Sequence, residues 1–154
     1  MTKEQHDRMV HNFVDHLAPS TEYSTEYPVS VDEKNIGFID VVVLSKGHAF
    51  LFDMKSGSND FSKDIQQLRR YAHALRHTPA HSWRWIHAFL VYDAGLKDQI
   101  IAVRNIFGGV EVLFMENSME PSDLHGRHLK SIIESVGGRY WRLKVLLRIL
   151  LRNG

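Results

Sequence analysis

Two carboxylates and an amine stand where this chain is otherwise apolar. From Ile36 to Leu44 only Gly37 and Asp40 interrupt the aliphatic and aromatic residues, and the apolar run Ala49 to Phe52 delivers Asp53 and then Lys55. A buried carboxylate costs several kcal/mol unless something compensates it, so charges at the ends of apolar strands mark a candidate site. Side chains alternate along a strand, which puts Asp53 and Lys55 on one face about 7 Å apart. If the two runs pair through Ser45-Lys46-Gly47, one register brings Asp40 beside them. Two acids that converge need a counter-charge. Hard oxygen ligands suit Mg²⁺ or Mn²⁺, an ion that offsets charge developing on a phosphate and lowers the pKa of a bound water. A neighbouring lysine could orient or deprotonate that water.

These residues need a sheet to hold them, and the sequence predicts one. Lys3 to Leu17 reads as a helix with Val10, Phe13, Val14 and Leu17 on one apolar face. Tyr23 to Val31, Ile36 to Leu44 and His48 to Lys55 read as strands. A helix follows from Asn59 or Asp60 to about His77, with Phe61, Ile65, Leu68, Ala72 and Leu75 as its core stripe. Gln67 and Tyr71 are one turn apart and flank that stripe, which places them at the rim of a site above the sheet. Trp83 to Tyr92 is a further strand. Leu96 to Ile106 is a short helix and Val110 to Met115 a last strand. Ser122 to Val136 is a helix stopped by Gly137-Gly138, and Arg139 to Arg152 is a closing basic amphipathic helix. The expectation is one α/β domain over residues 1–154 with a central mixed sheet flanked by helices.

Composition bounds the class. The chain has 154 residues, a 44% apolar share and a net charge of +1, as an ordinary globular domain would. It has no cysteine, which excludes disulfides and thiolate metal sites and fits a reducing compartment. The polar start, Met1 to His6, lacks the features of a signal peptide, and no apolar run approaches a membrane span, so a cytoplasmic protein is expected. Nucleophile elbows and Gly-rich phosphate loops are absent.

Gly37-Phe38-Ile39-Asp40, twelve intervening residues and Asp53-Met54-Lys55 together resemble the core of the PD-(D/E)XK nuclease superfamily. Gln67-Leu68-Arg69-Arg70-Tyr71 is similar to the Q-x-x-x-Y motif of its RecB-like branch. The resemblance covers residues 3–92 and implies a restriction-endonuclease-like αβββαβ core, with 93–154 as a C-terminal extension. It implies that Asp40 and Asp53 hold a metal and that Lys55 assists the attacking water, with Gln67 and Tyr71 beside the site. The backbone carbonyl of Met54 is a further candidate ligand. The residue before the first acid is Ile39 rather than proline, and the second acid is Asp rather than the commoner Glu. Many members add an acid or histidine from the first helix. Asp7 and His6 are the best placed here, with Glu26 on the first strand as a substitute. The reading that follows is a metal-dependent nuclease acting on DNA, as a homodimer or beside a targeting partner. The alternative is a catalytically silent module of the same fold that binds nucleic acid or protein.

Basic residues with access to phosphate are Lys63 and Arg70 on the helix after the site, and Lys144, Arg148 and Arg152 on the closing helix. The closing stripe lies opposite Leu143, Leu146, Leu147 and Leu150, whose expected role is packing on the domain or on a second subunit. Trp83, Trp85 and Phe89 share one strand face and read as core rather than a base-stacking platform. His73 and His77 have the spacing of two zinc ligands but lack a third, so they read as a solvated helical face.

Overall fold

The computed structural model describes residues 2–57, 60–78, 83–116, 119–135 and 146–152. Helix α1 is Lys3–Asp15, and strands β1, β2 and β3 are Glu22–Val31, Lys34–Ser45 and His48–Lys55. Helix α2 (Phe61–Arg76) leads to β4 (Trp85–Asp93), a short α3 (Lys97–Ala102), β5 (Glu111–Met115), β6 (Ser122–Asp123) and α4 (Leu129–Ser135). A last helix, α5, covers 146–152. The six strands lie in chain order in one sheet. Strands β1 to β3 are antiparallel, β4 and β5 continue parallel to β3, and β6 turns back antiparallel. The mixed α/β sheet expected from the sequence is therefore present.

Local chemistry accounts for the elements around the site. Thr2 and Gln5 form a reciprocal capping box at the start of α1. Met9, Phe13 and Leu17, spaced four apart, bury themselves on one side of the sheet with Val41, Phe50, Phe52 and Met54. Asp60 caps α2 through the Lys63 N–H. Ile65, Leu68, Ala72 and Leu75 pack on the other side with Val42, Leu51 and Leu90. The β2–β3 turn is tight because Lys46 and Gly47 both take positive φ, 52° and 83°, the geometry that matches strand twist in two-residue hairpins. That turn sets the register Ser45↔His48 through Val41↔Phe52.

Two expected helices differ. Leu96 to Ile106 is broken into α3 and two short 3₁₀ turns, Ala94–Leu96 and Arg104–Phe107. Ser122 to Val136 is helical only from Leu129. Asp123 does not cap a helix there. Its carboxylate accepts from the His125 and Arg127 N–H groups and pairs with Arg127 Nε at 2.7 Å, closing a loop through Gly126 at φ 78°. Such local carboxylate bonds compete with helix formation. The stop at Gly137-Gly138 lies outside the described residues, as does the start of the closing helix. In α5 the leucines expected to pack are exposed: Leu146 is 55% and Leu150 61% accessible. Among the described residues no helix is long and apolar enough to cross a membrane.

Candidate active site

Asp40 and Asp53 meet where two strands part. The β2–β3 ladder ends at Val41↔Phe52, so continuing that register by one residue would set Asp40 opposite Asp53. At that step the side chain replaces the backbone. Asp40 Oδ2 accepts the Met54 N–H at 2.8 Å. Strand β2 thus parts from β3 without leaving this N–H unsatisfied, and Asp40 lines a cleft against α1 and β1, while Asp53 stays buried. Asp53 and Lys55 share the face covered by α2, as strand alternation requires, while Phe52 and Met54 point to α1. Their burial differs in a useful way: Asp53 is 5% accessible, and the Lys55 side chain 23%.

Lys55 is held from two sides. Its Nζ donates to Gln67 Oε1 at 3.1 Å and lies 3.2 Å from Asp53 Oδ2. The second approach is an ion pair without hydrogen-bond alignment, so Asp53 Oδ2 is buried with no hydrogen-bond partner. Burial and then the adjoining Asp40 carboxyl push the Asp53 pKa up to about 7, against the opposing pull of Lys55. Burial acts to lower the Lys55 pKa, but the carboxylates of Asp53, Asp64 and Asp40 outweigh it and the net direction is up. Lys55 is therefore an ammonium. This favours an orienting, charge-stabilising role over the base also considered for it.

Helix α1 enters the site through His6. Its Nε2 lies 3.0 Å from Asp40 Oδ1 and its Nδ1 lies 3.8 Å from Asp7 Oδ1. Asp7 itself is 58% accessible and reaches the acids through His6, so the residue from this helix on Asp40 is the histidine. Glu26 lines the same cleft of about 310 Å³ as His6, Asp7 and Asp40. It takes φ 49° within β1, a strained setting for a non-glycine residue.

Tyr71 is not at the rim. It is 6% accessible and packs in the core beneath β2. The reason is Gly37: a Cβ there would overlap the Tyr71 hydroxyl and ring, so the glycine makes room for the tyrosine. Gln67 is exposed and reaches Lys55, as rim placement requires. In the sequence Asp64 extends the Gln67 and Tyr71 stripe backward along the helix, but its partner Tyr92 was not foreseen. The Tyr92 hydroxyl donates to Asp64 Oδ2 at 2.7 Å, and burial and this bond push the Tyr92 pKa far up. Asp64 adds negative charge near Lys55.

Lys63 and Arg70 are exposed on α2. Arg148 and Arg152 are exposed on α5 and border a cleft far from the acids, while Lys144 lies outside the described residues. Trp83 precedes β4 and packs on Tyr27, with ring centroids 5.6 Å apart. Trp85 is 40% accessible rather than core.

The donor set has a limited capacity for metal. Among the described residues no three His, Cys, Asp or Glu side chains group so as to hold an ion. Two hard carboxylates, one with a buried oxygen that accepts no hydrogen bond, suit the chemistry of Mg²⁺ or Mn²⁺, which keep several waters. Asp40, Asp53 and the Met54 carbonyl are the groups that would hold it.

No family profile matches the sequence, and no curated protein matches it. Two solved structures are similar to part of the chain. An XisH family protein from Nostoc punctiforme is 16% identical, with a TM-score of 0.46, over 72% of this chain and 89% of that one. An fdxN element excision controlling factor protein from Anabaena variabilis is 15% identical, with a TM-score of 0.48, over 74% and 92%.

Proposed function

We propose that the protein is a metal-dependent nuclease that hydrolyses phosphodiester bonds in DNA. The observation that carries the proposal is the buried Asp53 carboxyl, whose Oδ2 accepts no hydrogen bond and has Lys55 Nζ at 3.2 Å, beside Asp40 at the splayed ends of β2 and β3. Lys55 offsets only part of the cost of burying this oxygen, since the net push on the Asp53 pKa is still upward, and a bound cation would offset more. When bound, a divalent ion supplies positive charge against that developing on the phosphate. Lys55, fixed by Gln67, presents an N–H to a water attacking phosphorus or to a phosphate oxygen. The Met54 N–H and His6 hold the Asp40 carboxylate in place. Tyr71 acts by positioning, since it packs below Gly37 and supports the strand that carries Asp40.

The second reading is the silent module of the same fold. It is favoured by the short donor set and by Asp40, both of whose oxygens already have protein partners. Calorimetric titration with Mg²⁺ and Mn²⁺ separates the two readings. The nuclease reading predicts binding that disappears in Asp53→Ala, whereas the absence of carboxylate-dependent binding in a folded wild type would support the silent module.

A further inference from the structure

A second cleft lies at the opposite end of the sheet from the acids. It has a volume of about 550 Å³ and is lined by Arg76 at the end of α2, Arg84, Trp85 and His87 at the start of β4, and Arg148 and Arg152 on α5. No carboxylate among the described residues lines it. Burial first, then His48 and Arg76, push the His87 pKa down to about 4, so the charge of the cleft comes from its four guanidinium groups. Arg84, Arg148 and Arg152 make no ion pair among the described residues. Four like charges facing one space repel each other, and an anion relieves that repulsion. Guanidinium groups bind phosphate through paired donors, which lysines do not. Trp85 lines this cleft at 40% accessibility, with the His48 ring 6.3 Å away and 20° from parallel among its neighbours.

We infer that this cleft is a second nucleic-acid site, which grips the phosphates of a single strand with its arginines and stacks a base on Trp85. The inference rests on the nuclease reading only for its purpose, since the chemistry of the cleft stands alone. Residue pairing places Trp85 beside His48, at the opposite end of β3 from Lys55, which is roughly 20 Å along the strand. Between the two ends runs the exposed face of α2, with Lys63, Arg70 and His73; the one acid within this helix, Asp64, is bonded to Tyr92. The cleft thus holds a strand at a set distance from the acids, and productive substrates need a single-stranded tail long enough to reach it.

The test is fluorescence anisotropy with a labelled single-stranded DNA oligonucleotide in EDTA, at several salt concentrations. Wild type is compared with Arg84→Glu, Trp85→Ala and the charge-loss control Lys34→Ala, each checked for folding by circular dichroism. Binding should weaken about ten-fold in Arg84→Glu, with the slope of log affinity against log salt shallower by ~0.7 for each phosphate no longer neutralised. Trp85→Ala should weaken it by about ten-fold because no ring remains for a base to stack on. Lys34→Ala should bind as wild type does. If Trp85→Ala is poorly folded, quenching of tryptophan fluorescence by the oligonucleotide in Trp85→Phe replaces it, and the quench should shrink. Equal affinity in all variants, or no binding by wild type, overturns the inference. Because nothing is cut in EDTA, a protein without nuclease activity can still pass. An Asp53-dependent nuclease that binds alike in every variant overturns this inference alone.

Discussion

Asp53→Asn should make the protein more stable at pH 8 than at pH 5, relative to wild type. The folded carboxyl is pushed from 3.8 to about 7, chiefly by burial, whereas the unfolded one titrates at the ordinary value. Between those values the folded chain holds a proton that the unfolded chain has lost, so wild-type stability falls as pH rises through that window. Above pH 7 the loss is complete, and at 1.36 kcal/mol per pKa unit it amounts to about 4 kcal/mol at most. Asparagine has the shape of the neutral acid and does not titrate. The loss of the Lys55 ion pair adds nothing further to the slope, because that attraction acts only on the ionised carboxylate and is already part of the Asp53 pKa. The assay is urea denaturation of both proteins in EDTA from pH 4.5 to 8.5, followed by tryptophan fluorescence. The stability difference, variant minus wild type, should climb between about pH 4 and 7 and then level off. Adding Mg²⁺ at pH 8 should stabilise wild type by about 3 kcal/mol at a hundred times its Kd and leave the variant unchanged. A difference that is flat with pH would refute the reasoning, because Asp53 would then be ordinary in the folded state.

Gly37→Ala should cost about 1–3 kcal/mol through overlap with Tyr71, and the loss should be smaller in a Tyr71→Ala background, as a thermal-denaturation double-mutant cycle would read. Tyr92→Phe removes the donor to Asp64 and should lower stability by about 1–3 kcal/mol, measured by urea denaturation. Gln67→Ala frees Lys55 while leaving the core intact; stability should change by less than about 1 kcal/mol, and the cleavage rate should fall by about ten-fold or more.

The centre of the site was legible in the sequence because its geometry is local. Strand alternation and a two-residue turn fix where Asp40, Asp53 and Lys55 fall, and the register observed is the one that brings them together. The core stripe of α2 was legible for the same reason, since Ile65, Leu68, Ala72 and Leu75 recur at helical spacing. What escaped depends on how elements pack. The approach of His6 to Asp40 depends on how α1 crosses the sheet, which helical periodicity does not specify. The bond between Asp64 and Tyr92 joins residues 28 apart in the chain. Tyr71 flanks the core stripe of its helix, and only the space that Gly37 leaves on another element buries it. Asp123 has the residue type of a helix cap, but Arg127 offers its carboxylate a closer partner. The α5 leucines Leu146, Leu147 and Leu150 do not pack on the domain, one of the two partners expected for them, and amphipathic periodicity alone does not identify the surface that an apolar face meets.

The most direct test of the central claim is cleavage of labelled linear, circular, single-stranded and branched DNA with Mg²⁺ or Mn²⁺. Wild type runs beside Asp53→Ala and Lys55→Ala, each checked for folding. The account predicts metal-dependent cutting that both substitutions abolish. No cutting of any substrate by folded wild type, or cutting that survives the loss of Asp53, would contradict it.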